Sequence, residues 1–170
     1  MIIARKDFRD EEYFLPLEIF HRNKIEVTTA SSKTGIIIGV LGGEAKTTLN
    51  IKEAEAENFD AVVFVGGDGA QEYFENKEAH RIAREFNNAG KITAAICIAP
   101  VILAKAGVLE DKTAAVWSNA MDKTGPKALI QSKCAVSKKT VEKSGNIITA
   151  NGREAAEEFA RVIVEELNKS

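Results

Sequence analysis

Cys97 is the residue of this sequence best placed for covalent chemistry. It sits in the run Ala94-Ala95-Ile96-Cys97-Ile98-Ala99-Pro100, after the turn signal Asn87-Asn88-Ala89-Gly90. The apolar stretch leading to the cysteine predicts a strand buried on both faces, and Pro100 suits the first turn of a helix that reads as far as Gly107. The cysteine therefore falls where a strand ends and a helix begins. Ala95 and Ala99, two positions to either side, leave room for the sharp turn that lifts a nucleophile above a sheet. A thiol at such a junction meets free backbone N–H groups and the positive end of a helix dipole, both of which favour thiolate. The competing reading is a small apolar core residue, because free cysteine is among the most buried residue types.

Two further stretches are expected to meet it. In open α/β sheets ligands bind beyond the carboxyl ends of the strands, where the loop 5–12, the loop 66–70 and the Cys97 turn should converge. Gly66-Gly67-Asp68-Gly69 fits neither the Walker A pattern nor the dinucleotide fingerprint, so no nucleotide and no other cofactor is expected. Its glycines suit close backbone approach instead. The N–H groups of Gly67 and Ile98 are expected to hold an oxyanion beside Cys97, the plainer alternative being that the glycines only end a strand. Glu11 and Glu12 begin the first helix at the same edge. A carboxyl aimed at the thiol is either protonated and a hydrogen-bond donor, or charged and raising the thiol pKa. The alternative is a solvated first turn that favours the helix dipole. Both histidines, His21 and His80, fall within helical stretches, so a Cys–His dyad is not predicted. Cysteine and histidine nowhere show metal-ligand spacing. Cys134, ahead of an edge strand, reads as structural. Arg22 is a secondary candidate for an anion contact, with a snorkelling surface arginine as the alternative.

Composition bounds the rest. The chain has 170 residues, 45% hydrophobic and 28% charged, which fits one compact domain over 1–170 with a full core. A net charge of −2 gives no electrostatic reason to expect nucleic acid or an anionic membrane as partner. Two cysteines make no disulfide framework and suit a reducing compartment. Charge arrives too early after Met1-Ile2-Ile3 for a signal peptide, and no apolar run is long enough to span a bilayer. A cytoplasmic protein is the expectation.

The elements that must position the candidate residues follow from periodicity. Ile2-Ile3-Ala4 predicts a short first strand, and residues 11–22 a helix N-capped by Asp10 and kinked or delayed by Pro16. The alternating stretch 24–30 predicts a second strand, and residues 35–50 a hairpin or two short edge strands around Gly42-Gly43. Residues 51–58 predict a short acidic helix or loop, 59–67 a buried strand, and 71–89 an amphipathic helix. After the Cys97 unit come a strand over 113–117, one helical turn over 127–132, a hairpin over 135–150 and a closing helix over 153–168. Alternation of strands with helices predicts a mostly parallel sheet with helices on both faces.

Taken together, these residues resemble the ThiJ/PfpI superfamily, which includes PfpI-type intracellular proteases and the parkinsonism-associated protein deglycase. The resemblance covers nearly the whole chain. It rests on Phe8-Arg9-Asp10-Glu11-Glu12 followed by Pro16, on Phe59-Asp60-Ala61-Val62-Val63 with Gly66-Gly67, and on the Ala-Ile-Cys elbow. Ala106-Gly107-Val108-Leu109 and Ile148-Thr149-Ala150-Asn151-Gly152 with Phe159-Ala160 complete it. It implies a flavodoxin-like, doubly wound domain in which Cys97 is the reactive cysteine and Glu12 the acid that hydrogen-bonds it. Gly67 and Ile98 match the oxyanion-hole amides, and Arg22 the arginine that the deglycase branch has near its site. Departures accompany the match. PfpI-type proteases carry His directly after the cysteine, where this chain has Ile98. The deglycase branch has His on the next strand, where this chain has Val116-Trp117-Ser118. The acidic position of the hexameric proteases is matched by Gln71.

The expectation is a cytoplasmic stress-type protein that forms a homodimer or higher oligomer. Cys97 acts in it as a nucleophile toward small reactive carbonyls or as an oxidation sensor, in a hydrolase-, glyoxalase- or deglycase-type role. The alternatives are an oligomeric holdase-type interaction protein that keeps the elbow as architecture, and a cysteine peptidase with a non-standard site. A flavin-binding flavodoxin has no support in the loop sequences.

Overall fold

Strand residues alternate faces with a period of two, and in this chain both faces are apolar. In the computed structural model, which describes residues 1–169, the strand β5 (Ala61–Phe64) sends Val62 and Phe64 to one core and Val63 to the other. The same division holds for β6 (Ile92–Ile96), where Ala95 faces one way and Ile92, Ala94 and Ile96 the other, and for β10 (Ile147–Ala150). Two apolar faces need helices on both sides. α2 (Lys77–Asn88) and α3 (Pro100–Lys105) cover the first face through Ile82, Phe86, Ile102 and Leu103. α1 (Asp10–Arg22) and α5 (Ala156–Leu167) cover the second through Phe20, Phe159 and Ile163.

The sheet runs β5-β6-β10-β9, with β9 (Val141–Ser144) the one antiparallel neighbour, and β10 pairs with β6 in parallel from Ile147↔Thr93 to Ala150↔Ile96. On its other side Ile2 bridges Phe64 and Ala30 in parallel, which joins the sheet to β1 (Ala30–Ser31) and β4 (Leu49–Asn50). The mostly parallel doubly wound architecture with helices on both faces is thus the observed one. The resulting order places Ile2-Ile3-Ala4, β5, β6 and β10 side by side, with the loops that follow them at one edge.

Several expected elements are shorter. The stretch 24–30 forms strand only at Ala30-Ser31; just before it the Thr28 carbonyl accepts from the Met1 amine at 2.7 Å and the Thr29 carbonyl from the Thr48 N–H at 3.1 Å, single bonds that do not extend into a ladder. The helix expected over 71–89 is a 3-10 turn, Asp68–Tyr73, followed by α2, which starts where Asn76 accepts N–H bonds from Glu78 and Ala79. The 113–117 strand is only β7 (Thr113–Ala114), and the single turn at 127–132 is the eight-residue α4 (Thr124–Gln131). The 135–150 hairpin divides: β8 (Ala135–Val136) pairs with β7, leaving β9 and β10 as the hairpin. The hairpin β2 (Gly35–Ile38) with β3 (Glu44–Thr47) forms as expected. α1 runs through Pro16 without delay from Asp10, and its capping residue is Arg9 rather than Asp10.

Candidate active site

β6 is buried along its whole length and ends at Ile96, and α3 begins at Pro100. Between them Cys97 takes φ +64°, a left-handed conformation that costs a non-glycine residue on the order of 1 kcal/mol. Both of its backbone polar groups are engaged. The Cys97 N–H donates to the Ala150 carbonyl at 2.9 Å, and the Cys97 carbonyl accepts from the Trp117 N–H at 2.8 Å. The turn is therefore clamped by the end of β10 on one side and the chain following β7 on the other, and the side chain is held out from the sheet edge. The cysteine is partly exposed, and its buried side packs against the second core and against the Ala70–Ile98–Val101 cluster.

The acid arrives on α1. Glu12 is 1% exposed. The loop that carries it lies directly on the loop after β5: the Arg9 N–H donates to Gly66 O at 3.0 Å and the Gly69 N–H to Asp7 O at 3.2 Å. Gly66 has no room for a side chain. A Cβ there would overlap the Glu12 carboxyl and stand 2.6 Å from Cys97 Cβ. At Gly67, with φ +100°, a Cβ would meet Arg9 N at 2.5 Å and Asp7 O at 2.6 Å. These two glycines let acid, thiol and backbone amides come together, beyond ending the strand.

Burial raises Glu12 to about 7; the Cys97 thiol, the Arg9 guanidinium and the Gly66 N–H pull it back, and Glu11 pushes it up. Burial also raises the Cys97 thiol, and the charge and hydrogen bonding of an ionised Glu12 raise it further, while the Gly67 and Ile98 N–H groups oppose the rise. The pair thus resists double ionisation. Glu12 Oε2 has no aligned hydrogen-bond partner among the described residues, the arrangement of a carboxyl oxygen free to carry a proton.

The structure brings Cys97, Glu12, Gly67 and Ile98 into one site. It does not bring Arg22 there. That residue lies ten positions along α1 from Glu12, about 15 Å of helix rise, and its exposed guanidinium pairs with Glu18. His21 is exposed in the last turn of α1, and His80 Nε2 is engaged with the Phe74 carbonyl at 2.8 Å. Cys134 is buried.

Four neighbours of the site were not legible in advance. Arg9, from the loop before α1, forms a two-point ion pair with Glu11 at 2.8 and 3.0 Å and acts on Glu12. Arg153, on the turn after β10, is held charged first by Glu154 and, more weakly, by Glu11 and Glu12. Trp117 packs with Ile98, Ala70, Val101 and Phe74 into an apolar wall against Cys97. Asp10 is buried and accepts from the Leu41 N–H at 2.8 Å and the Gly43 N–H at 2.7 Å, tying the β2–β3 turn to the start of α1. The run Phe8–Glu12 hinted at Arg9 and Asp10, and the match of Val116-Trp117-Ser118 to the histidine position of the deglycase branch hinted at Trp117; Arg153 had no such signal. The described residues contain no helix long and apolar enough to cross a membrane.

Comparison with known proteins shows the family to which this fold belongs. A sequence profile described as the DJ-1/PfpI family matches residues 1–166. An uncharacterised protein of Methanocaldococcus jannaschii is 34% identical over 174 aligned positions, covering 100% of this chain and 82% of its own length. Deglycase PfpI of Pyrococcus furiosus is 34% identical over 112 positions, 66% of this chain and 68% of its own. Among solved structures, a ThiJ/PfpI domain protein from Brachyspira murdochii superposes with a TM-score of 0.94 at 31% identity, covering 99% of this chain and 95% of that one. A match over nearly the whole length, in both sequence and fold, makes this chain a member of the DJ-1/PfpI family.

Proposed function

We propose that this protein uses Cys97 as a nucleophile toward small reactive carbonyl compounds, a deglycase- or glyoxalase-type protective role in a reducing cytoplasm. The observation that carries the reading is the buried Glu12 carboxyl set against a thiol that two backbone amides also face. The name of the Pyrococcus relative, a deglycase, points the same way.

The addition step balances with these groups alone. The working state has the proton on Glu12 and the negative charge on sulfur. Sulfur adds to the aldehyde carbon, the carbonyl π pair moves to oxygen, and the Gly67 and Ile98 N–H groups stabilise that oxyanion. The Glu12 proton completes the hemithioacetal. Its burial suits it to hold that proton near neutral pH.

The same proposal includes a homodimer. Ile36 and Ile38 on β2 and Val40 and Leu41 in the turn are exposed at 57, 47, 44 and 64%. The cross-strand partners of the two isoleucines are Lys46 and Glu44, so the outward face of the hairpin carries apolar residues beside opposite charges. A second copy related by a two-fold axis sets each Glu44 against the partner's Lys46 with the isoleucines between them. A monomeric mass by light scattering sinks this part.

The test is methylglyoxal consumption by wild type and Cys97→Ser, with circular dichroism confirming the fold of both. Loss of turnover in the variant is expected. Equal consumption by the two proteins overturns the reading.

A further inference from the structure

Arg153 is positioned by the strand that also clamps the nucleophile. The Cys97 N–H donates to Ala150 O at 2.9 Å, and the chain then passes Gly152, where a Cβ would stand 3.5 Å from Trp117 Cδ1, before the 3-10 turn Arg153–Ala155. The Trp117 N–H in turn donates to Cys97 O at 2.8 Å. Arg153 therefore follows directly on the strand end and glycine that pack against the elbow, and the charges of Glu11 and Glu12 reach its guanidinium.

The two arginines of this rim differ in how far they are committed. Arg9 is only 22% exposed and both Nε and Nη2 face Glu11, so its charge is internally balanced. Arg153 is 53% exposed, and its hydrogen-bonded partner is Glu154, the neighbouring residue, at 3.1 Å and 88% exposed. Such an open pair is worth little and is readily exchanged for another anion. The remaining carboxylates in reach are accounted for: Glu11 is held by Arg9, Asp10 by the hairpin turn, and Glu12 is the acid that carries the proton. A guanidinium presents a planar fork matched to carboxylate geometry.

We infer that Arg153 selects anionic carbonyl substrates at the Cys97 site, binding a carboxylate one or two bonds from the carbonyl carbon that sulfur attacks. This inference rests on the proposed nucleophilic role of Cys97. For the simplest such compound, glyoxylate, the S–C bond forms as the carbonyl π pair moves to oxygen. That oxygen takes the Glu12 proton, giving a hemithioacetal whose carboxylate lies against Arg153.

Iodoacetate and iodoacetamide separate charge from reactivity, since both place the same methylene on sulfur and release iodide. The rate of each at Cys97 is followed by peptide mass spectrometry in wild type, Arg153→Gln, Arg153→Lys and Glu154→Gln. The ratio of iodoacetate to iodoacetamide rates is expected to fall about five-fold in Arg153→Gln, the size of one charge contact in water. It is expected to be largely restored in Arg153→Lys, to rise in Glu154→Gln, and to shrink with added salt. Glyoxylate should protect Cys97 from iodoacetamide better in wild type than in Arg153→Gln. Reaction with both reagents at a ratio that Arg153→Gln leaves unchanged overturns the inference while the nucleophilic reading stands. A Cys97 inert to both reagents overturns the two together.

Discussion

Cys97 and Cys134 are both free thiols, and burial is the first cause raising the pKa of each. What else touches sulfur separates them. Cys134 lies in the apolar core below β7, 3% exposed, with the Ala135 carbonyl at 3.5 Å as its hydrogen-bond acceptor and a backbone amide as its one opposing influence. Cys97 stands on a left-handed turn at the end of a buried strand, where two amides and a buried acid converge. The same side chain is filler in one place and a candidate nucleophile in the other. Local backbone geometry and the neighbours it recruits decide which.

The largest way to break this contrast is to remove the acid. Glu12→Gln cannot give up a proton, so carbonyl turnover is expected to fall about 100-fold, and the limb near pH 7 in the alkylation profile of Cys97 should disappear. The same variant reads out stability. Glu12 rises from 4.5 to about 7 in the fold, so the native state binds its proton more tightly than the unfolded chain does. The resulting stabilisation is complete below about pH 4.5 and is lost as pH rises through about 7. Glu12→Gln should therefore gain on wild type between pH 4.5 and pH 8, by as much as about 3 kcal/mol, measured by denaturant titration at both pH values. A parallel pH dependence in the two proteins would show that the acid is not buried as described.

Gly66→Ala attacks the contrast sterically. Its Cβ displaces the Glu12 carboxyl or Cys97, at an expected cost of about 2 kcal/mol, and should bring the alkylation rate of Cys97 down toward that of Cys134. Gly90→Ala is the control, with φ +70° and no atom within 4 Å of the new Cβ, so backbone strain of about 1 kcal/mol is all it carries. The smallest effect belongs to Cys134→Ala: about 1 kcal/mol of stability lost to a small cavity, with methylglyoxal consumption unchanged. A loss of activity there would mean that the two thiols communicate.

Much of the site was legible because its parts are local. The strand–cysteine–proline run fixes the elbow within a few residues, and paired glycines after an apolar strand announce a close approach. The stretch 24–30 shows the opposite case. It alternates like a strand, yet only Ala30-Ser31 form one, because pairing depends on a neighbour rather than on pattern. Asp10 has the composition of a helix cap, but its carboxylate goes to the Leu41 and Gly43 amides, partners no local rule connects to it. Arg22 illustrates the cost of placing a residue by resemblance: helix rise carries it away from the site that Glu12 enters.

The sequence by itself determined the doubly wound sheet, the position of the cysteine at its edge and the helix that brings an acid toward it, because hydrophobic period and turn chemistry are written in neighbouring residues. Periodicity left Glu11 and Glu12 equivalent and only the resemblance singled out Glu12; the tertiary structure decided that Glu12 is the buried one, and that Arg9 and Arg153, rather than Arg22, are the arginines coupled to the acids of this edge. Those choices depend on the order of strands in the sheet and on desolvation where three loops pack. Both are properties of the assembled chain and of no single segment within it.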